Sequence, residues 1–222
     1  MPLRRLLALA ALLVAVAAGY VCGTAIARRS PLRVTFLDVG QGDSAVIETP
    51  SRKCFVVDTG SATATESRGR SVVLPFLRSR GVNRLDALAL THWDSDHSGG
   101  ARAVLAGMRV GKLILPTDGP WNRGGTDMER STLRLVAVEG VPVVHMSAGE
   151  TVRVGDGVTF EVLNPPPPGS RYAPRSDNDA SLVMMLRYGA TRILLAADAE
   201  AEAEHRMVRA GLDLKADVLK VG

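Results

Sequence analysis

Four side chains able to hold a metal ion fall within six residues: His92, Asp94, Asp96 and His97, in the run Thr91-His92-Trp93-Asp94-Ser95-Asp96-His97. Imidazole and carboxylate together suit zinc, manganese or iron, whereas calcium favours oxygen ligands alone. In an extended chain, alternation puts His92 and Asp94 on one side, with Asp96 joining them, and His97 points elsewhere. A bend at Ser95-Asp96 splits the ligands into two pairs that could serve two nearby metals. Two metal ions a few ångströms apart can clamp both oxygens of an in-line displacement. The plainer alternative is a polar loop in which Asp96 or Ser98 caps the next helix. It leaves two of the four histidines in the chain without a reason to be there.

The cluster needs a rigid element to present it, and Leu85 to Leu90 reads as a buried strand running directly into it. Gly99-Gly100 then opens a helix over Ala101 to Ala106. Upstream, Leu32 to Val39, Ser44 to Thr49 and Cys54 to Asp58 read as strands, with Gly40-Gln41-Gly42-Asp43 as a turn. Ala62 to Arg70 reads as a loop, and Val72 to Gly81 has helical spacing. Downstream, Lys112 to Leu115 is a further strand, Thr117 to Gly125 a polar loop and Met128 to Glu139 a helix. Val141 to Met146, Thr151 to Val154 and Val158 to Val162 read as strands of a second sheet. A stiff Pro-rich loop runs from Pro165 to Asp177. Ser181 to Arg187 and Arg192 to Ala197 form a hairpin about Tyr188-Gly189-Ala190. Ala199 to Ala210 is a helix, and Asp217 to Val221 a last strand. The order implies an α/β fold of two sheets with helices outside.

The chain has 222 residues, 46% hydrophobic and 23% charged, enough for one full domain with a short appendage. Aromatics make up 4%, so the core rests on Val, Leu, Ala and Ile. The net charge of +4 and the pI of about 9.4 permit a phosphate-bearing partner without demanding one. Two cysteines, Cys22 and Cys54, make neither a disulfide framework nor a cysteine zinc site. Residues 1–30 begin with Arg4 and Arg5, and Leu6 to Ala18 is almost unbroken apolar sequence. Leu6 to Ala27 would span about 33 Å as a helix, enough to cross a bilayer. The same residues fit a cleavable signal peptide. Either reading, signal peptide or transmembrane anchor, makes residues 31–222 an exported, extracytoplasmic domain, in contact with the membrane where the segment stays uncleaved.

The run His-x-Asp-x-Asp-His followed by Gly-Gly resembles the metal motif of the metallo-β-lactamase fold. Asp94 stands where the more usual form has a second histidine, which resembles the branch found as the soluble domain of ComEC-type DNA-uptake proteins. Matching passages follow in order: Phe36 to Ser44, Val57-Asp58-Thr59-Gly60, Asn178 to Val183, Leu194 to Asp198, and Ala216 to Gly222. The resemblance covers Leu32 to Gly222. It implies a four-layer αββα sandwich and a metal-dependent hydrolase, thought in that family to degrade one DNA strand during uptake. It further implies that His92 and Asp94 hold one zinc or manganese ion and Asp96 and His97 a second, with Asp198 bridging them. Asp96, His97 and Asp198 would thus carry catalysis, with Asp58 beneath the site as a support. Asp38 and Asp43 flank the Gly turn at the same edge, where each either orients ligands or fixes the turn.

Departures from the family pattern sharpen these expectations. Asp198 follows Ala196-Ala197, where the family has Thr-Gly or Ser-Gly. The family continues past Lys-Val-Gly with a His-His-Gly-Ser run, so the resemblance implies a domain that ends at Gly222 without that ligand, a last strand and a helix. His145, in a β-like run, reads as a packed histidine, and His205 as part of a solvated helix face. Arg68, Arg70, Arg123, Arg171 and Arg175 lie in loops that could rim a cleft, or are simply solvated. The leading reading is a nuclease or phosphodiesterase acting on DNA. The alternative is a non-catalytic domain binding DNA or a protein partner. Hydrolysis of a β-lactam or thioester is disfavoured by Asp94.

Overall fold

A computed structural model describes residues 11–17, 31–117 and 125–222. Leu32–Gly222 form one unit and Met1–Pro31 another. In the latter, residues 11–17 are helical and exposed. The expected signal peptide or anchor otherwise falls outside the described residues, and no helix among those described is long and apolar enough to cross a membrane.

Among the described residues, thirteen strands build the domain: β1 (Arg33–Phe36), β2 (Ala45–Glu48), β3 (Cys54–Val57), β4 (Arg84–Leu85), β5 (Ala87–Ala89), β6 (Arg109–Val110), β7 (Leu113–Pro116), β8 (Val143–Met146), β9 (Thr151–Gly155), β10 (Val158–Asn164), β11 (Val183–Tyr188), β12 (Thr191–Leu195) and β13 (Val218–Lys220). The helices are α1 (Leu74–Ser79), entered through a π-turn at Gly69–Val73, then α2 (Ser95–Ser98), α3 (Ala101–Gly107), α4 (Asp127–Val138) and α5 (Ala201–Arg209). The first sheet runs β1-β2-β3-β5-β7-β8 and the second β13-β12-β11-β10-β9, while β4 and β6 pair separately.

Alternation along the strands makes the layers. In β2 and β3, Ile47, Phe55 and Val57 point toward the second sheet, where Phe160, Val162, Met184 and Leu195 meet them. The intervening Val46 and Val56, with Leu88 and Leu113, point to the opposite face and pack on Leu74, Leu77, Val104 and Val136 of α1, α3 and α4. The second sheet likewise turns Leu163, Val183, Met185 and Leu194 outward onto Met207 of α5. This is an αββα sandwich. Each fully buried leucine in it, such as Leu88, contributes on the order of 2 kcal/mol through removal from water. Thr126 starts α4 by accepting the Glu129 backbone N–H on its hydroxyl at 3.1 Å.

Two expectations are corrected. Val141 to Met146 belongs to the first sheet, not the second: β8 pairs parallel with β7, Ile114 opposite Val144. The helix α4 between them makes the crossover that two parallel neighbours require. His145 is not packed. It stands exposed on that edge strand, its Nδ1 3.1 Å from the Pro116 carbonyl.

Candidate metal centre

The site lies where β3, β5 and β12 end. After β5 the chain passes Leu90 and Thr91 to His92, then coils into the single turn α2. That turn brings His97 back beside His92, with ring centroids 4.2 Å apart. An extended reading of the run separates the two rings; one helical turn reunites them. Loops from both sheets hold the turn. Thr59 N–H and hydroxyl both donate to the His97 carbonyl, at 2.7 and 3.1 Å. Leu182 N–H, just before β11 of the second sheet, donates to the Thr91 carbonyl at 2.8 Å.

Asp58 anchors the chemistry from below. It is 1% exposed and adopts φ +58°, a left-handed conformation that only surrounding structure sustains. Its Oδ1 accepts the Thr91 N–H at 2.8 Å. Its Oδ2 accepts the Thr91 hydroxyl at 2.7 Å and His97 Nδ1–H at 2.9 Å. An ionised carboxylate only accepts, so the proton between Asp58 and His97 belongs to the imidazole. The Thr91 hydroxyl has spent its one proton on Asp58, so at 3.0 Å it accepts from His92 Nδ1. Both imidazoles are thereby assigned the Nδ1–H tautomer, and both Nε2 lone pairs are turned to the same place.

What those lone pairs meet is Asp198, which follows β12. His97 Nε2 lies 3.1 Å from Asp198 Oδ1. A lone pair facing a carboxylate oxygen at that distance repels unless a cation or proton lies between. Asp198 Oδ1 and His92 Nε2 are both buried without a hydrogen-bond partner. Ligand atoms of His92, His97 and Asp198 all lie within 4.8 Å of one another. Orphaned buried acceptors that converge in this way fit a divalent cation.

Asp94 and Asp96 stand outside that tight set. Asp94 is exposed, its Oδ2 3.6 Å from His92 Nε2, and its carboxylate makes no capping bond to α2. Asp96 is half-buried and joins the network through its backbone, its carbonyl accepting Asp43 N–H at 3.2 Å. Gly42 packs so closely here that a Cβ would sit 1.9 Å from the Asp96 carbonyl oxygen. Asp43 forms an ion pair with Lys220 of β13. Exposed Asp38 fixes the turn, accepting Gly40 N–H at 3.1 Å. Among the loop arginines, Arg68 pairs with Glu66 at 2.9 Å. Arg70, Arg171 and Arg175 are exposed, as is His205, and Arg123 lies outside the described residues.

The electrostatics differ between the two rings. Burial opposes a charge on His97, but the hydrogen bond and charge of Asp58, with Asp198 and Asp43, outweigh it and push its pKa up to about 9. Burial and the neighbouring His97 push His92 down. Burial and the charge of Asp94 raise the Asp177 carboxyl, with His92 opposing. Asp177, itself exposed, is thus within electrostatic reach of Asp94 and His92. Sequence reasoning missed it, the Thr91 relay and the Asp43–Lys220 pair.

Two sheets flanked by helices, with a buried His/His/Asp set at the strand ends, define a class, and the superfamily comparison agrees. The chain belongs to the metallo-β-lactamase superfamily, whose profile matches residues 37–221. That fold implies divalent-metal binding, and its members are generally metal-dependent hydrolases. The fold is shared with a HARLDQ-motif mutant of a metallo-β-lactamase from Cronobacter sakazakii, at TM-score 0.52 and 14% identity, over 85% of this chain and 76% of that one. Within the superfamily the relatives are competence proteins. ComE operon protein 3 of Bacillus subtilis is 33% identical over 203 residues, covering 85% of this chain and 25% of the relative. Competence protein ComA of Neisseria gonorrhoeae is 32% identical, covering 85% of this chain and 23% of the relative. Recombination protein 2 of Haemophilus influenzae is 31% identical, covering 86% of this chain and 21% of the relative. The chain thus spans about a quarter of the length of the curated relatives it matches.

Proposed function

We propose that this domain is a metal-dependent phosphodiesterase of the competence type, a nuclease acting on DNA outside the cytoplasm. The observation that carries the metal reading is the convergence of ligand atoms of His92, His97 and Asp198 within 4.8 Å of one another, with His92 Nε2 and Asp198 Oδ1 buried and without hydrogen-bond partners. His92, His97 and Asp198 would hold the first ion, zinc or manganese, with Asp94 beside His92 and Asp96 on the same turn available to a second. Bound there, a divalent ion supplies Lewis-acid polarisation of a phosphoryl oxygen and makes water more acidic. The chain's own residues do the orienting. Asp58 keeps the His97 proton on Nδ1, Thr91 does the same for His92, and Asp43 and Gly42 brace the turn that carries both.

The DNA substrate is supported by the competence relatives and by Asp94, whose carboxylate replaces an imidazole and favours harder ions. Export is supported by the basic start and apolar run of residues 1–30. The test is metal analysis of the full chain together with plasmid nicking in Mn²⁺ or Zn²⁺, with Asp198→Asn and the double variant Asp96→Ala, His97→Ala alongside. Nicking that depends on metal and vanishes in both variants is expected. Nicking that survives the double substitution refutes the site.

A further inference from the structure

Bordering the metal turn, a groove of about 640 Å³ opens between the loop Ala62–Ser67 and the outer faces of α3 and α4. Gly99, two residues beyond His97, forms part of its wall. A Cβ there would sit 2.4 Å from the Ala62 backbone nitrogen, so the loop that makes one side of the groove is packed directly on the metal-binding segment. The floor is small and apolar, with Ala103 and Ala106 of α3 and Leu135 of α4.

Its unpaired charges are of one sign. Arg70 and Arg102 line the groove, both exposed, and neither side chain makes an ion pair or hydrogen bond among the described residues. The one acid on the rim, Glu66, is already held by Arg68 at 2.9 Å. Two uncompensated guanidinium groups beside an apolar floor describe a receptor for an anion carried on an organic chain.

We propose that this groove holds the sugar-phosphate backbone of a single nucleic-acid strand beside the metal site, with Arg70 and Arg102 on its phosphates. The proposal rests on the phosphodiesterase reading for its choice of anion. A concave slot of this volume falls in the range that encloses a small ligand, which matches one strand and not a duplex. Arg70 and Arg102 act by charge on phosphates, so binding is indifferent to base sequence and sensitive to salt.

The test uses the full chain and a short fluorescein-labelled oligothymidylate, with anisotropy measured over a range of KCl concentrations and chelator present so that turnover plays no part. The variants are Arg70→Ala/Arg102→Ala and Arg70→Glu/Arg102→Glu, each checked for metal content as a measure of an intact fold. The alanine pair is expected to weaken binding about tenfold and to lower the salt slope by about 1.4, at roughly 0.7 per phosphate contact on a single strand. The glutamate pair abolishes binding. An affinity and salt slope unchanged in both variants overturn the proposal. So does a duplex that binds as tightly with the same dependence on the two arginines. Plasmid nicking by the unsubstituted chain decides the phosphodiesterase reading separately, because the anisotropy needs no catalysis.

Discussion

Replacing Asp58 by Asn tests the orienting network at its centre while changing almost no volume. Asp58 is 1% exposed and accepts three hydrogen bonds, two of them on Oδ2. An asparagine can keep the bond from Thr91 N–H on its carbonyl oxygen. Its NH₂ group then faces the Thr91 hydroxyl and His97 Nδ1, which now must accept. His97 is driven to the Nε2–H tautomer, and the lone pair that faced Asp198 becomes a donor. Loss of two charge-assisted bonds costs about 2–4 kcal/mol of metal-free stability, at about 1.5–3 kcal/mol for each less what the amide recovers. Metal affinity should fall by about 10–100-fold, the usual cost of removing a carboxylate behind a metal-binding histidine, or about 1.4–2.7 kcal/mol. The assays are denaturant unfolding of the chelated chain, metal competition against a chromophoric chelator, and ¹⁵N–¹H correlation of the imidazole nitrogens. A variant that binds metal as tightly as the parent, with His97 still protonated on Nδ1, refutes the reasoning.

Three further outcomes follow from the same geometry. In the metal-free chain, His97 has its pKa raised from 6.5 to about 9, so its stabilising contribution is complete below pH 6.5 and is lost as pH rises through 9. His92 is shifted down and works the other way, removing stability on acidification below its ordinary pKa. Metal competes with the His97 proton, so affinity should rise with pH up to about 9 with proton release; titration calorimetry in buffers of different ionisation enthalpy counts the proton, and a pH-independent affinity contradicts the assignment. Ala197, buried beside Asp198, sits at φ +50°, where a non-glycine residue carries about 1–2 kcal/mol of strain. Ala197→Gly relieves it against about 0.5–1 kcal/mol of chain entropy, for a net gain of about 0.5–1 kcal/mol in chemical denaturation; a loss of stability contradicts the strain argument.

The cluster from His92 to His97 was legible because its ligands are contiguous and follow a buried strand. Two histidines in six residues, out of four in the chain, need no tertiary information to be noticed. How they meet was not legible. Period-2 reasoning sends His92 and His97 apart, and only the one-turn helix over Ser95–Ser98 reverses that. Thr91 lies in the same run, yet its role depends on Asp58 arriving from a neighbouring strand, a pairing no local pattern encodes. Asp43 and Lys220 are 177 residues apart and meet because the turn after β1 and the strand β13 reach the same end of the sandwich.

The fold shows the same division. Strands such as β2 and β3 announce themselves by alternation, since each face packs against a different layer. The run Val141 to Met146 carries strand character but nothing that selects a sheet. Its membership follows from the crossover through α4, a property of chain path. His145 went wrong with it: a β-like run looks buried until the strand proves to be an edge, with Val143 39% and Val144 37% exposed.

The central claim is that the Nε2 atoms of His92 and His97 and a carboxylate oxygen of Asp198 hold one divalent ion. X-ray absorption at the zinc edge of the full chain loaded with one equivalent of Zn²⁺ tests it most directly. The account expects multiple scattering from two imidazoles with Zn–N near about 2.0–2.1 Å, reduced to one imidazole in His97→Ala. A spectrum of oxygen ligands alone, or one that His92→Ala and His97→Ala leave unchanged, would contradict it.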